Sequence, residues 1–342
     1  MCPMSSQAQL AKEPGREAVI ACGDLGKSFD GVPVVRNVDL RIGPGRIVAL
    51  IGPSGCGKTT TVRLLTGIYR PTTGWAMING TAAERLSDRQ RQRIGYLPQL
   101  PALFPELSLW ENLSFHASMY GLRVRRRRRL QQLLTWVELW EHRSKRIREV
   151  SGGMQRRLAL AASFVHDPPV LFLDEPTAGI DPILRAKFWA RFRELRESGR
   201  TILVTTQYVG EAAYCDLVGL LSDGELLGID TPENLRRAAF AGDVIDVEFA
   251  RQVGAEELRG IAALEFVVAA PEEVEPRKWR IVVRDADLAQ RELPAAFQHA
   301  GLSVVDLQEH MVDFDEAFVR VIERARLRRS SGAQGSASDG LR

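Results

Sequence analysis

The chain has 342 residues, of which 45% are hydrophobic and 26% charged, and its formal net charge is +3. This length allows two domains, and the composition is typical of a soluble globular protein. The small net charge gives no support for a nucleic-acid partner, and no apolar run reaches the ~18 residues that predict a transmembrane helix. The four cysteines have neither metal-ligand spacing nor a disulfide pattern, which fits a reducing cytoplasm.

The chain divides by pattern into four regions. Residues 1–17 predict a disordered lead-in without the apolar core of a signal peptide. Over residues 18–238, short apolar runs alternate with longer helical patterns, which predicts an α/β domain. Within that domain, residues from about 100 to 166 contain only helical patterns and predict a helical subdomain. A second domain and a tail follow.

The first strong motif is a glycine-rich loop between a buried strand, Arg46–Ile51, and a helix, Thr59–Thr66. Its spacing, G-x-x-x-x-G-K-[ST], is that of a phosphate loop, in which backbone N–H groups surround phosphate oxygens. Lys58 would reach the β- and γ-phosphates, and the Thr59 hydroxyl would bind Mg²⁺. We predict that a nucleoside triphosphate binds at Gly52, Pro53, Ser54, Gly55, Cys56, Gly57, Lys58, Thr59 and Thr60.

A basic run, Arg123 with Arg125–Arg129, begins the helical segment Arg125–Leu139. One interpretation is a solvated helix face, and another is contact with membrane phosphates or an acidic partner helix. The chain uses arginine far more often than lysine, which favours the solvated face. No aromatic residues alternate with the run, so a single-stranded nucleic acid is not predicted as a partner.

The sequence Ser151-Gly-Gly-Met-Gln155 precedes a predicted helix, Met154–Phe164. A helix amino terminus that contains two glycines offers free N–H donors and a partial positive charge to an anion. Ser151 is also a good helix N-cap residue, and the two interpretations are compatible.

An acidic pair, Asp174 and Glu175, follows the apolar run Val170–Leu173, which predicts carboxylates at the carboxyl edge of a parallel sheet. We expect Asp174 to hold Mg²⁺ and Glu175 to polarise the attacking water. Because Pro176 follows directly, an exposed acidic turn is the alternative. The phosphate loop in the same chain favours the metal site, since the Mg²⁺ of such a loop needs a carboxylate. Two further buried strands are predicted at Arg93–Pro98 and Thr201–Thr205.

In this order, the motifs resemble those of the nucleotide-binding subunit of an ABC transporter, over about residues 18–235. The resemblance implies an α/β P-loop ABC ATPase cassette with a RecA-like core sheet and a helical subdomain, and with ATP and Mg²⁺ as cofactors. Phe29 resembles the aromatic residue that stacks on adenine. Gln99 resembles the Q-loop glutamine that senses Mg²⁺ and the membrane partner.

The same resemblance assigns a role to the SGGMQ motif, which is similar to the family's signature motif. In the family this motif faces the γ-phosphate of ATP held by the opposite subunit. Thr177–Asp181 resembles the D-loop. The resemblance therefore adds these residues to the predicted ATP contacts: Ser151, Gly152, Gly153, Gln155 and Asp181.

One position departs from the family pattern. The family usually has a histidine at the switch that follows the strand after the acidic pair, whereas this chain has Gln207. A glutamine amide can donate a hydrogen bond to the γ-phosphate but cannot gain or lose a proton. Subunits of the daunorubicin-resistance type share this substitution, and Glu175 is retained. We therefore predict an active ATPase with Glu175, Gln207 and Lys58 as its catalytic residues.

Beyond residue 240 the pattern becomes β-α-β-β-α-β, which predicts a small α+β ferredoxin-like domain over residues 240–326. The acidic stretch Glu272–Glu275 is expected in the polar turn Pro271–Arg277. Residues 327–342, rich in Ser, Gly and Ala, predict a disordered tail. The predicted strands and helices, in chain order, are Asp243–Ala250, Ala255–Ala262, Glu265–Ala269, Trp279–Arg284, Leu288–Gly301, Leu302–His310 and Phe314–Arg326.

This second domain resembles the carboxy-terminal domain of ATPases from exporters with an ABC-2 type membrane subunit. The resemblance implies an ATP-hydrolysing motor subunit that dimerises around two ATP molecules and drives export of a drug, lipid or polysaccharide. The implied partners are a separately encoded ABC-2 type permease and a second ATPase subunit, expected to be a second copy, with no nucleic acid. The expected location is the cytoplasmic face of the cell membrane, as a peripheral protein.

Two alternatives remain open. One is a soluble ABC ATPase of translation or DNA repair, although such proteins usually carry two cassettes or a long coiled coil, and this sequence has one cassette and no sustained heptads. The other is a subunit of an import system. The Thr205-Thr-Gln-Tyr208 switch and the second domain favour export instead.

Overall fold

The computed structural model describes residues 18–122, 126–310 and 316–323. The chain forms two compact units, which meet in the sequence between Asp230 and Thr231. The predicted lead-in, the predicted tail and the first residues of the basic run lie outside the described residues, so these predictions are not tested. The domain boundaries predicted at residues 238 and 240 likewise stay predictions.

The first unit contains an antiparallel sheet and a mainly parallel one. Its strands are β1 (Ile20–Phe29), β2 (Val32–Ile42), β3 (Ile47–Ile51), β4 (Thr73–Ile78), β5 (Thr81–Ala82), β6 (Ile94–Leu97), β7 (Val170–Asp174), β8 (Thr201–Thr206), β9 (Leu217–Ser222) and β10 (Glu225–Asp230). Its α-helices are α1 (Lys58–Leu65), α2 (Asp88–Arg91), α3 (Leu109–Met119), α4 (Arg126–Trp136), α5 (Gly152–Ser163) and α6 (Pro182–Glu197).

The mainly parallel sheet has the strand order β10-β9-β3-β8-β7-β6, and β3, β8, β7 and β6 run parallel to their neighbours. Every residue of β3, β7 and β8 is buried. Strands buried on both faces appear in a sequence as continuous apolar runs, which is why these strands could be predicted. All four predicted buried strands are confirmed, and the loops that follow them lie at one edge of the sheet.

The antiparallel sheet, of order β2-β1-β4-β5, was not predicted. The pairing of β1 with β2 shifts register between Cys22 and Leu25 and again before Lys27 and Ser28. Bulges of this kind interrupt the alternation of buried and exposed residues, so the sequence lacks the period of two that identifies a strand. Phe29, the predicted adenine-stacking residue, ends β1.

The segment between β6 and β7 is helical, and the helical subdomain predicted over about residues 100–166 stays a prediction. It contains α3, α4 and α5, and its described part has no strand apart from an isolated bridge between Ser108 and Arg146. No helix in the described parts of the chain is both long enough and apolar enough to cross a membrane.

The second unit is a four-stranded sheet with helices. Its elements are α7 (Pro232–Phe240), β11 (Asp243–Phe249), α8 (Arg259–Ala262), β12 (Glu272–Glu275), β13 (Lys278–Val283), α9 (Ala286–His299), β14 (Val304–Glu309) and a helix over residues 316–323. The strand order is β12-β13-β11-β14, and all neighbours are antiparallel. This is the predicted ferredoxin-like arrangement, in which the elements occur along the chain in the order β-α-β-β-α-β.

Two predictions within this unit are wrong in position. The second strand is Glu272–Glu275, which was expected to be a turn, whereas Glu265–Ala269 contributes only an isolated bridge between Val267 and Val283. All four side chains of β12 are exposed. An edge strand without a buried face has no alternating pattern, and acidic side chains are typical of such edges because they discourage further pairing. The predicted helix Ala255–Ala262 is reduced to Arg259–Ala262, after a turn.

Candidate nucleotide-binding site

Four loops meet at the carboxyl edge of the parallel sheet. Gly52 follows β3, Gln207 follows β8, Glu175 follows β7 and Gln99 lies just beyond β6. Because these strands are neighbours in the order β3-β8-β7-β6, the loops lie side by side in the same order. The fold therefore brings together the phosphate loop, the switch, the acidic pair and the Q-loop, which are up to 155 residues apart in the sequence, from Gly52 to Gln207.

The phosphate loop depends on its glycines for two different reasons. A Cβ atom on Gly52 would lie 2.2 Å from the carbonyl oxygen of Leu221 and 2.5 Å from Sγ of Cys56, so only glycine fits. Gly57 has a φ of 102°, in the left-handed region, and it is the N-cap residue of α1. The first turn of α1 contains no acidic residue. The positive end of α1 therefore faces the loop without a competing negative charge, which suits an anion.

Lys58 supplies a full positive charge at the same place. Its side chain is buried, and Nζ donates hydrogen bonds to the carbonyl oxygens of Gly52 at 2.7 Å and Pro53 at 3.0 Å. No carboxylate of the described residues forms an ion pair with this ammonium group. A buried cation that is bonded only to carbonyl groups is costly without a counter-charge, which again favours an anionic ligand.

The remaining predicted members of the loop differ in exposure. Pro53, Ser54 and Gly55 are exposed, and Thr59 and Thr60 are half-buried. Cys56 is buried, and burial raises the pKa of its thiol. Its side chain is therefore a small neutral group that fills space beneath the loop rather than a thiolate.

Asp174 is completely buried at the end of β7. Its Oδ1 accepts a hydrogen bond from the Thr205 hydroxyl, whereas its Oδ2 has no hydrogen-bond partner within the described part of the chain. A buried carboxylate oxygen without a partner costs free energy, which a bound cation would recover. The donor set, an oxygen-rich site beside a phosphate loop, fits Mg²⁺.

Glu175 has an unusual backbone. Its φ is 53°, in the left-handed region that residues other than glycine rarely adopt. Its N–H donates to the carbonyl oxygen of Thr205 at 3.0 Å and to the Thr205 hydroxyl at 3.1 Å, and these bonds hold the conformation. Conformations of this kind cost roughly 1–3 kcal/mol and concentrate at functional sites.

The predicted switch residue contacts this carboxylate directly. Nε2 of Gln207 donates a hydrogen bond of 2.8 Å to Oε1 of Glu175. An ionised carboxylate can only accept, so the glutamine must present its NH₂ group. Two of the predicted catalytic side chains are thus joined by one hydrogen bond.

The signature residues lie at the amino terminus of α5. Ser151 is the N-cap residue, and its hydroxyl accepts from the N–H of Met154 at 3.3 Å. No hydrogen bond joins Ser151, Gly152 or Gly153 to the phosphate loop among the residues that the structure describes. Gly152 is exposed, and a Cβ atom there would meet no atom within 4 Å in the part of the chain that the structure describes. Packing inside the chain therefore does not explain why this residue is glycine.

Other predicted contacts have roles within the chain itself. Nε2 of Gln155 donates to the carbonyl oxygens of Ile147 and Val150 and so stabilises the loop before the signature. Asp181 caps α6 by accepting from the Leu184 N–H at 3.0 Å. Their contacts with ATP, and those of Phe29 and Gln99, stay predictions. Phe29 is partly exposed and packs edge-on against Tyr69, with 5.5 Å between ring centroids, and the side chain of Gln99 is exposed.

Sequence reasoning missed a buried carboxylate behind the switch. Oε1 of Glu211 accepts from the Thr177 hydroxyl at 2.5 Å, and its Oε2 accepts from the Thr206 hydroxyl at 2.6 Å. Nε of Arg185 lies 3.7 Å from Oε1. Glu211 therefore ties the predicted D-loop to the switch. It lies in a short 3₁₀ segment, Val209–Tyr214, too short for a periodic pattern to mark its side chain as buried.

A second missed residue is Arg156, on α5. Its buried guanidinium donates to backbone carbonyl oxygens of the Q-loop and of the acidic pair. The available signal was its position four residues before Leu160, which puts a charged side chain on the buried face of the helix.

Comparison with known proteins agrees with this geometry. Residues 35–178 match the family model described as ABC transporter. The daunorubicin resistance ATP-binding protein DrrA3 of Streptomyces coeruleorubidus is 36% identical over 297 residues, which cover 86% of this chain and 91% of that protein. The probable multidrug ABC transporter ATP-binding protein YbhF of Escherichia coli (strain K12) is 38% identical over 224 residues. That match covers 65% of this chain but 39% of YbhF, so the chain spans well under half the length of this relative.

A solved structure resembles the chain as well. The dimeric ATP-binding cassette MJ0796, in a post-hydrolysis state bound to ADP and Pi, matches with a TM-score of 0.57 and 26% identity. The match covers 62% of this chain and 98% of that chain.

Proposed function

The chain belongs to the ABC transporter family as an ATP-binding ATPase subunit, and on that premise we propose that it is the motor of an ABC-2 type exporter. Two copies would dimerise around two ATP molecules, and a separately encoded permease would carry a drug, lipid or polysaccharide. Two of the relatives are named for drug resistance and for multidrug transport, which supports export. The chain would act at the cytoplasmic face of the membrane, with the ferredoxin-like unit packing against its counterpart.

The phosphate end of ATP would bind at the amino terminus of α1. The loop N–H groups and Nζ of Lys58 would neutralise the β- and γ-phosphates, because both already concentrate positive charge there. Asp174, with its unpaired Oδ2, and Thr59 would hold Mg²⁺, and Gln99 would contact it from the neighbouring loop. When bound, the ion would offset charge on the phosphate oxygens.

Glu175 would be the general base. Glu175 follows Asp174, the last residue of β7, and its carboxylate would take a proton from the attacking water. Gln207 would hold that carboxylate in position through the 2.8 Å bond from its amide and would also sense the γ-phosphate. Neither contact needs Gln207 to change protonation, which a glutamine cannot do.

The signature would complete the site of the opposite copy. The observation that carries this proposal is Gly152, which is exposed, has open space around its Cβ position and makes no bond to its own phosphate loop. A glycine that no internal contact requires suits a surface that must approach another molecule closely. The free N–H groups at the start of α5 would then face the γ-phosphate bound by the other copy.

A mixing experiment tests the shared site. Lys58→Ala removes the phosphate-loop charge, and Gly153→Asp places a carboxylate at the signature, so each variant alone should hydrolyse almost no ATP. A mixed dimer has one intact site, built from the phosphate loop of the Gly153→Asp copy and the signature of the Lys58→Ala copy. Mixing the two inactive proteins should therefore restore ATPase activity. Two variants that stay inactive when mixed, although both keep wild-type unfolding temperatures, would rule out the shared site.

A second prediction concerns Gln207. Gln207→Ala removes the donor to Glu175 and should lower kcat about 10-fold, less than the roughly 10²–10³-fold contributed by a donor to the reacting atoms, because this bond acts through Glu175. Gln207→His restores a donor and should recover activity, but with a new dependence on pH near the ordinary imidazole pKa of about 6.5. The wild type should lack that step between about pH 6 and 7.5. Wild-type activity of Gln207→Ala would show that the contact is dispensable.

A further inference from the structure

Arg156 joins three parts of the site through one side chain. It lies five residues after Ser151, in the helix that the signature begins. Nη1 donates to the carbonyl oxygens of Pro98 at 2.6 Å and Gln99 at 2.7 Å, both in the Q-loop. Nη2 donates to the carbonyl oxygens of Asp174 and, at 2.8 Å, of Glu175.

These contacts need an arginine. The side chain is 6% exposed, and burying a cation costs several kcal/mol unless hydrogen bonds replace its hydration. Burial lowers the pKa of Arg156, and the nearby carboxylates of Asp174 and Glu175 oppose that shift, so the guanidinium stays charged. A planar guanidinium presents a fixed fork of donors to two pairs of carbonyl groups at once. A lysine ammonium would be a single point that cannot span them.

We propose that Arg156 is a positioning residue that couples the two ATP sites of the dimer. The inference rests on the proposed function, in which the signature of one copy serves the nucleotide of the other. Within one copy, Arg156 fixes the start of α5 relative to the backbone of Gln99 and Glu175. A shift of either loop on binding or hydrolysis is therefore transmitted to Ser151–Gly153, and through them to the opposite site.

The next residue provides a matched control. Nη1 of Arg157 donates to the carbonyl oxygens of Val137 at 3.0 Å and Glu138 at 3.4 Å, which follow α4. Arg157 thus has the same charge and lies on the same helix, but its hydrogen-bond partners among the described residues all lie within the helical segment. Arg157→Lys controls for the general effect of replacing a partly buried arginine in α5.

The mixed dimer separates coupling from a local role. Its single active site uses the carboxylates of the Gly153→Asp copy and the signature of the Lys58→Ala copy. Arg156→Lys is introduced into the Lys58→Ala copy alone, which does not supply the working carboxylates. If Arg156 positions the signature, kcat should fall about 10-fold, within the range of measured coupling effects, while KM for ATP changes less than about 2-fold. Arg157→Lys in the same copy should leave both constants within about 2-fold of the parent mixture.

The possible results are distinct. In one outcome, Arg156→Lys lowers kcat when it is in the Gly153→Asp copy but not when it is in the Lys58→Ala copy. Arg156 would then only stabilise Glu175 of its own copy, and the proposed coupling would be wrong. Equal losses of kcat with Arg156→Lys and with Arg157→Lys would also overturn the proposed coupling. Failure of the parent mixture to regain activity would instead overturn the shared site, and the coupling with it. Unfolding temperatures are measured throughout, and Arg156→Gln, which retains two donors, replaces Arg156→Lys if the latter does not fold.

Discussion

Glu175→Gln is expected to lower kcat for ATP hydrolysis about 10²–10⁴-fold while ATP binding is retained. The substitution keeps the shape of the side chain but replaces the proton acceptor by an amide, which is not basic near neutral pH. Lys58 and the loop amides, which are proposed to bind the triphosphate, and Asp174, which is proposed to hold Mg²⁺, are unchanged. ATP should therefore accumulate unhydrolysed between two copies, and the protein should become dimeric in ATP but not in ADP. Steady-state ATPase rates, binding of a fluorescent ATP analogue and light scattering measure these three effects.

A surface carboxylate provides the control for this substitution. Glu194 is exposed on α6 and pairs with Arg191 at 2.5 Å, a surface ion pair worth about 0–1 kcal/mol. Glu194→Gln should leave kcat and the oligomeric state unchanged. If Glu175→Gln kept more than about a tenth of the wild-type rate, Glu175 would not be the general base.

The parts of the fold that could be predicted are those in which local sequence and local geometry are tightly linked. The strand β3 was predicted correctly because continuous burial gives a continuous apolar run, and the loop after it could be located because its geometry needs glycine at Gly52 and Gly57. The antiparallel sheet was missed where bulges in β1 break the alternation. The strand β12 was misplaced because its residues have no buried face.

The site shows the same limit at the level of single residues. Asp174, Glu175 and Lys58 follow from motif spacing. Arg156, by contrast, bonds to backbone carbonyl oxygens up to 58 residues away. Every residue type has a backbone carbonyl group, so the identities of the accepting residues do not reveal these contacts. Glu211 is paired with two threonine hydroxyls, and threonine is too common to suggest a buried partner. Such contacts appear only once the chain is folded.

Gly152→Ala is expected to separate folding from activity more sharply than any other substitution in the signature. A Cβ atom at this position meets no atom of the described residues within 4 Å, and Gly152 lies in the first turn of α5. Replacing glycine by alanine in a helix stabilises it by about 0.5–1 kcal/mol or, at a helix end, by less. The free energy of unfolding should therefore be unchanged or slightly raised, and binding of ATP to the isolated copy should be normal.

ATP hydrolysis by the same variant should nevertheless fall about 10²-fold, because the added methyl group would stand between the α5 amides and the γ-phosphate of the other copy. Gly260→Ala is the matched control: Gly260 is an exposed helical glycine with equally open surroundings, in α8 of the second unit. It should give the same small effect on unfolding and no loss of kcat. Since neither Cβ atom meets a described atom of its own chain within 4 Å, a loss confined to Gly152→Ala would indicate contact with another molecule. Equal activity of the two variants would mean that the signature surface does not approach the nucleotide closely.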